Sequence, residues 1–413
     1  MHKIERLLQT LAPKGVEFKT LEEVFEIKNG YTPSKNNPEF WEKGTIPWFR
    51  MEDIRENGRI LKDSIQHITP KALKGKKLFP KNSIIISTTA TIGEHALLIV
   101  DSLANQRFTF LSKKANCDLA LDMKFFFYQC FLLGEWCKKN TNVSGFASVD
   151  MTAFKKYKFP IPPLEIQQEI VKILDAFTEL NTELNTELNA RKKQYQYYQN
   201  MLLDFDNINS NHKDAKIKTY PKRLKTLLQT LAPKGVEFRK LGEVCDFQKG
   251  KSITKKAVTF GKVPVISGGR QPAYYHNEAN RSGETIAISS SGVYAGYVSY
   301  WDIPVFLADS FSVSPKQKTL MPKYLFHYLT TQQDAIHAIK STGGIPHVYS
   351  KDLQNFLIPI PPLEIQQEIV KILDQFLALT TDLLAGIPAE IEARKKQYEY
   401  YREKLLTFKP LKA

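Results

Sequence analysis

The chain contains several of its own segments twice, and that repetition constrains the fold more than any other feature. LLQTLAPKGVEF at Leu7–Phe18 returns at Leu227–Phe238. PIPPLEIQQEIVKILD at Pro160–Asp175 returns at Pro359–Asp374, and RKKQY at Arg191–Tyr195 returns at Arg394–Tyr398. Repeats this close imply one structural unit used twice. The stretches between them diverge: 18–160 and 238–359 differ in length by 21 residues and keep only faint landmarks. Ile84–Thr89 resembles Ile286–Ser291, and Ser144-Gly145 resembles Gly343-Gly344. Two variable domains joined by two similar connectors are expected. The repeat is also circularly permuted: the C-terminal end matches the segment before the middle linker, and the N-terminal end matches the segment after it. Such an order implies a closed object with approximate two-fold symmetry and neighbouring termini.

The connectors read as long helices. Pro163 suits a first helical turn. The apolar positions after it, Ile166, Ile170, Ile173, Phe177, Leu180 and Leu184, are spaced 4-3-4-3-4, a heptad seam. The second copy repeats the register at Ile365, Ile369, Ile372, Phe376, Leu379 and Leu383. A helix running unbroken from Pro163 to Phe205 would have 43 residues and a length of roughly 64 Å. A stripe this narrow needs a partner helix, and the permutation favours antiparallel pairing of the two connectors over two helices each packed on its own domain. TELN occurs three times in the first connector (Thr178–Asn181, Thr182–Asn185, Thr186–Asn189), each copy adding about 6 Å. The second connector has Gly386-Ile387-Pro388 instead, which should interrupt the helix.

Each variable domain shows β-rich character followed by one strong helix. Strands are expected at Ser83–Ser87, His95–Val100 and Arg107–Ser112, and at Thr285–Ser289, Tyr294–Tyr300 and Phe311–Ser314. Helices are expected at Asp122–Asn140 and Met321–Ser341. The fold class is α+β: two α+β domains separated by two long helices forming an antiparallel coiled coil with pseudo-two-fold, circularly permuted symmetry. The expected divisions are 1–160, a helical spacer at 161–206, a polar and basic linker at 207–221, a second domain at 222–358 and a second spacer at 359–413.

Charge points to the partner. Of 413 residues, 58 are Lys or Arg and 43 are Asp or Glu, a net charge of +15, which favours a polyanion and nucleic acid first. Small hydroxyl side chains after the Ile-rich strands, Ser87, Thr88, Thr89 and Thr91 in one copy and Ser289, Ser290 and Ser291 in the other, suit phosphate or base-edge contacts and equally suit plain turns. Polar and aromatic loops add Lys28, Ser34, Lys35, Trp48 and Arg50. In the second domain they add Lys249, Lys251, Ser252, Lys255, Tyr274 and Tyr294. Arg270 and Gln271 carry the donor chemistry that reads guanine and adenine edges. Asn211–Lys240 holds nine Lys/Arg and two acids, the composition of a solvated linker or of a segment tracking phosphates.

Several chemistries have no signature here. Gly250-Lys251-Ser252 lacks the upstream glycine of a phosphate-binding loop, that place being Cys245, and no metalloprotease, nucleophile-elbow or dinucleotide-binding pattern occurs. Both Pro-Pro pairs are followed by Leu, unlike the Asp/Asn-Pro-Pro-aromatic tetrapeptide of amino-methyltransferases. The four cysteines form no C-x-x-C pair and read as reduced thiols. No apolar run approaches the ~20 residues of a membrane span, and Met1–Arg6 lacks the apolar core of a signal peptide, so a cytoplasmic location is expected.

The order of variable domain, PIPPLEIQQEIVKILD helix, variable domain and second such helix resembles the specificity subunit of type I restriction–modification enzymes. So do the Tyr/Arg/Lys-rich helix ends and the Thr91-Ile92-Gly93 turn. The resemblance implies a non-catalytic subunit whose two target-recognition domains each read half of a split, asymmetric site on double-stranded DNA. It implies helices that act as a ruler and as docking surface for two methyltransferase subunits, with restriction/translocase subunits added for cleavage. S-adenosylmethionine, ATP and Mg would then sit on those partners, this chain holding no cofactor and no metal and touching no membrane. The alternative is a stand-alone DNA-processing enzyme with tandem DNA-binding domains.

Overall fold

The computed structural model describes residues 2–142, 147–205, 220–316, 318–341, 344–381 and 386–411. Ser144-Gly145, Gly343, Leu383 and most of the polar linker lie outside the described residues. The chain divides into two units. The first joins Met1–Glu183 to Glu392–Ala413, and the second is Leu184–Ile391.

The first unit is built on a five-stranded sheet in the order Phe25–Asn29, Phe108–Lys113, Ser83–Ser87, His95–Leu98, Ile60–Leu61. β-Branched residues fill its centre, and the two-residue period of a strand sends neighbouring side chains to opposite faces. Ile84 and Ile86 pack in the core that contains helix Met123–Lys139, whereas Ile85 packs on the other side with Phe49 and Phe110. Asp122 caps that helix by accepting from the amides of Lys124 and Phe125. A three-stranded sheet (His67–Ile68, Ile46–Phe49, Leu103–Ala104) and two pairs (Glu17–Thr20 with Lys158–Ile161, and Thr141–Asn142 with Ser148–Val149) complete its β-structure. Residues from both ends of the chain meet here, since the Val16 amide donates to Lys409 O at 2.9 Å and the Leu411 amide to Val16 O at 2.9 Å.

The second unit repeats the plan with fewer parts. Its four-stranded sheet runs Cys245–Lys249, Ser310–Pro315, Thr285–Ser289, Val298–Trp301. Its three-stranded sheet runs Tyr274–His276, Phe260–Ile266, Phe306–Leu307, and its pair is Phe238–Lys240 with Leu357–Pro359. Two expectations need correction. Tyr294–Tyr297 form a turn rather than strand, because Gly292 and Gly296 both take positive φ (86°) and the Tyr297 amide donates to Tyr294 O. The helix expected over Met321–Ser341 is two, Pro322–Thr331 and Gln333–Ala338. The Thr330 and Thr331 hydroxyls donate to the carbonyls of His327 and Tyr328 at that junction, competing with the helical ladder.

The first connector is one helix, Leu164–Leu203, unbroken through all three TELN copies. The second comprises Leu363–Thr381 and Ile387–Leu406, the latter starting directly after Gly386 with Pro388 in its first turn. Both are clamped to their own domain by repeated residues. Gln167, fully buried, donates to Ala120 O (2.8 Å) and Pro162 O (2.6 Å) and accepts from the Asp122 amide (2.8 Å). Gln366 does the same with Thr319 O, Pro361 O and the Met321 amide. Asp175 receives Lys124 and the Tyr128 hydroxyl, both at 2.6 Å, and Asp374 receives Lys323 at 2.6 Å and His327 at 2.9 Å. Burial raises the Asp374 carboxyl, but the hydrogen bonds from His327 and Lys323 outweigh it and hold it below its ordinary value.

The start of each connector pairs with the end of the other, as an antiparallel pair requires. Phe177 stacks on Tyr401 with centroids 5.6 Å apart in the first unit, and Phe376 stacks on Tyr198 at 5.0 Å in the second. The seam itself is only partly as spaced. Ile166, Ile170, Ile365 and Ile369 are buried, but they pack in the domain cores together with Leu174 and Leu373, while Ile173, Phe177, Leu180, Leu184, Ile372 and Phe376 are half-buried. Leu379 is exposed and Thr380 is buried in its place: the straight helix advances 3.6 residues per turn, so a 3.5-residue stripe drifts off the packed face.

Candidate nucleic-acid interface

The polar turns predicted after the Ile-rich strands are closed by matching main-chain hydrogen bonds in both units, the second turn being one residue longer. The Gly93 amide donates to Ser87 O and the Gly296 amide to Ser289 O. The Thr88 amide donates to Arg107 O and the Ser290 amide to Asp309 O. At the neighbouring strand ends the Gly30 amide donates to Phe108 O and the Gly250 amide to Ser310 O. Gly93 (φ 89°) is packed so tightly on the helix Met123–Lys139 that a Cβ there would lie 2.5 Å from Gly134 O. A glycine is required at that point of the Thr91-Ile92-Gly93 turn.

Several predicted contact residues prove to be scaffold. Ser87, Thr88, Ser289 and Trp48 are buried, with little of each side chain open to solvent, although Ser87 and Trp48 still line a cleft. Ser87 Oγ donates to Thr89 O at 2.7 Å, Thr88 Oγ1 lies 3.0 Å from Thr109 Oγ1, and Ser289 Oγ donates to Ser267 O at 3.0 Å. The Trp48 indole donates to Tyr31 O at 2.9 Å and pins the Tyr31 loop. Each lies in or directly after a strand whose residues are largely buried, and a buried hydroxyl or indole finds a partner inside. Tyr274 is half-buried against the cluster of Val265, Phe306 and Ala308.

In the first unit the folding of four distant segments makes one cleft of about 360 Å³, lined by Trp48 and Phe108 together with Thr32, Lys35, Arg50, Glu52, Arg55, Thr91, Asn105, Gln106 and Arg107. Lys35, Arg50 and Thr91 were legible as candidates, whereas Arg55 and 105–107 were not. The available signal was the polar run Asn105-Gln106-Arg107 directly ahead of a strand. The cleft sets four cations against the single carboxylate of Glu52, whose nearest oxygen is 3.8 Å from Arg50 Nε. Arg50 also lies 6.0 Å from the Trp48 ring centre. Behind the turn, burial pushes the His95 imidazole down to about 3, with the Arg59 charge adding to the effect, so it is neutral at physiological pH. Lys28 is elsewhere, in a second cleft with Lys76 and Lys77, and pairs with Glu26 at 2.6 Å. Ser34 is exposed, its carbonyl accepting from the Trp41 indole, and Thr89 is half-buried in a bridge to Ser148.

In the second unit the turn gathers different side chains. The Arg270 guanidinium lies 4.9 Å from the Tyr294 ring centre and 5.6 Å from that of Tyr297. Ser291 Oγ donates to the Asp309 carboxylate, and Ser290 is half-buried beside it. Lys249, Lys251, Ser252, Lys255 and Gln271 are exposed. The Lys251 amide donates to Leu307 O, which ties its loop to the strand end two residues before Asp309. Among the described residues no group of three or more His, Cys, Asp or Glu could hold a metal ion, and no helix is long and apolar enough to cross a membrane.

Comparison with known proteins agrees with this duplicated plan. The family model described as type I restriction modification DNA specificity domain matches residues 13–193 and 233–393. The type I restriction enzyme EcoprrI specificity subunit of Escherichia coli is 41% identical over 398 residues, covering 93% of each chain. The EcoR124I/EcoR124II specificity subunit of the same species is 33% identical, covering 65% of this chain and 69% of its own. Among solved structures, the S subunit of a type I restriction–modification system from M. genitalium shares the fold, with a TM-score of 0.60, 20% identity and coverage of 95% and 96%.

Proposed function

The chain belongs to the family of type I restriction–modification DNA specificity subunits, and on that premise we propose that its two units read the two halves of one split DNA site. One observation carries the reading. The same set of main-chain hydrogen bonds closes the turns of both units, with one residue more in the second, yet the side chains around the matched turns differ in charge and size. A frame held constant while its exposed chemistry changes is what two readers of different sequences need.

The cationic cleft of the first unit and the Arg270, Tyr294 and Lys251 surface of the second are the proposed contacts to double-stranded DNA. Lysines at loop ends position the duplex through phosphates, and the fork-shaped or amide side chains read base edges. The repeated connectors serve as docking surfaces for two methyltransferase subunits, and restriction/translocase subunits join the same assembly. The chain is a non-catalytic, cytoplasmic component, and S-adenosylmethionine, ATP and Mg belong to its partners.

The test is an exchange of residues 18–160 for the matching segment of another family member, followed by sequencing of methylated bases in cells that express the partner subunits. One half of the methylated motif changes and the other stays. A change in both halves would refute independent readers.

A further inference from the structure

Resting on that reading, we infer that one matched position, Arg107 in the first unit and Asp309 in the second, sets which base edge each unit accepts: Arg107 takes the paired acceptors of a guanine, and Asp309 takes the amino group of a cytosine. The match is made by the backbone. Each residue immediately precedes a central strand, Phe108–Lys113 or Ser310–Pro315, and each carbonyl accepts from the amide that comes after the buried strand serine, Thr88 at 3.2 Å and Ser290 at 3.0 Å. Both side chains are exposed.

Their surroundings are opposite. Arg107 shares its cleft with Lys35, Arg50 and Arg55, and its guanidinium has no acceptor among the described residues. Asp309 is oriented by the Ser291 hydroxyl, and the position matched to Arg50 through the parallel strand pairs Phe49–Ala104 and Ile266–Leu307 is the uncharged Ser267. A carboxylate beside a duplex is repelled by phosphates, so a position that carries Asp in one copy and still faces DNA must face base edges. By the backbone match, Arg107 faces them too. In the major groove guanine offers O6 and N7 to a guanidinium fork, whereas cytosine offers only the N4 amino donor. Adenine sets the N7 acceptor beside its amino group, which suits an amide better than a carboxylate.

The experiment uses the chain assembled with its methyltransferase subunits and a panel of duplexes that substitute each base of both half-sites in turn. Initial methylation rates and the salt dependence of binding are measured for the parent complex, Arg107→Ala and Asp309→Asn. Arg107→Ala should lose about 5- to 150-fold discrimination at one guanine of one half-site. Asp309→Asn should lose a similar factor at one cytosine of the other half-site and gain tolerance of adenine there. The inference is overturned if Arg107→Ala weakens all duplexes alike and lowers the salt slope by about one, the mark of a phosphate contact. It is equally overturned if Asp309→Asn strengthens binding to every duplex alike. A parent complex that shows no sequence preference would instead sink the reading of the chain as a two-part reader.

Discussion

The two units close the same turn in different ways. In the first, main chain meets main chain, with Gly93 against Gly134 and no side chain between them. In the second, Gly296 meets side chains: a Cβ there would lie 2.9 Å from Ile336 Cγ2 and 3.3 Å from His337 Nδ1. The amide bonds that define the turn are unchanged, so its position is fixed by the strands, and only the means of filling the space behind it has varied. The domain is thus a rigid hydrogen-bonded frame whose packing and surface change independently.

The largest effect that can separate the two modes is a substitution at the paired glycines. Both Gly93→Val and Gly296→Val force a β-branched residue into positive φ, at about 1–3 kcal/mol. Gly93→Val adds a collision with immovable backbone, and its total should reach about 2–6 kcal/mol. Ile336 can yield at Gly296, so the second unit should suffer less. Thermal unfolding of the two variants measures the gap, and equal losses would show that the distinction between backbone and side-chain packing has no energetic content.

The buried glutamines provide the opposite case, because here the units are alike. Gln167→Ala and Gln366→Ala each strand two carbonyls and one amide in a dry site, which should cost about 1–3 kcal/mol apiece. Denaturant titrations of both variants should give matching losses. Unequal losses would mean that the repeated helix is held differently in the two units.

These glutamines also show where sequence ceases to be readable. The connectors were visible because verbatim repetition and a helical stripe are local signals. The clamp was not, since Gln167 reads as a polar surface residue until its helix is laid against 120–122. The hydroxyls failed for a related reason: Ser87, Thr88 and Ser289 look like free donors in one dimension and are sealed by neighbouring strands in three. Arg55 and Arg107 lie more than fifty positions apart and meet only because Ile46–Phe49 pairs with Leu103–Ala104.

The smallest effect concerns acid. His95 occupies the place that Val298 takes in the second unit, as the pairs Ile86–His95 and Ile288–Val298 show. In the folded chain its imidazole titrates near 3, while an unfolded one titrates near 6.5. Between those values the unfolded chain binds a proton that the folded one refuses, so stability falls as pH drops below 6.5. The loss attributable to His95 is about 1 kcal/mol between pH 7 and pH 5.5. His95→Val, borrowing the second unit's solution, should flatten that part of the pH–stability curve. An unaltered curve would assign the acid response to other groups.

The hydrogen bonds that join Val16 to Lys409 and Leu411 bear on how the molecule is made. The first unit has Leu405, Leu406 and Phe408 packed in its core, so its hydrophobic interior is not complete until residues 405–408 have been synthesised. The second unit is continuous, from Leu184 to Ile391, and everything it requires has been synthesised earlier. The second unit is therefore the first whose residues are all available, against the usual order in which the N-terminal domain comes first. Until residues 392–408 are made, the first 183 residues lack apolar groups that cover part of their core. A chain cut after Ile391 would hold all of the second unit and lack part of the core of the first.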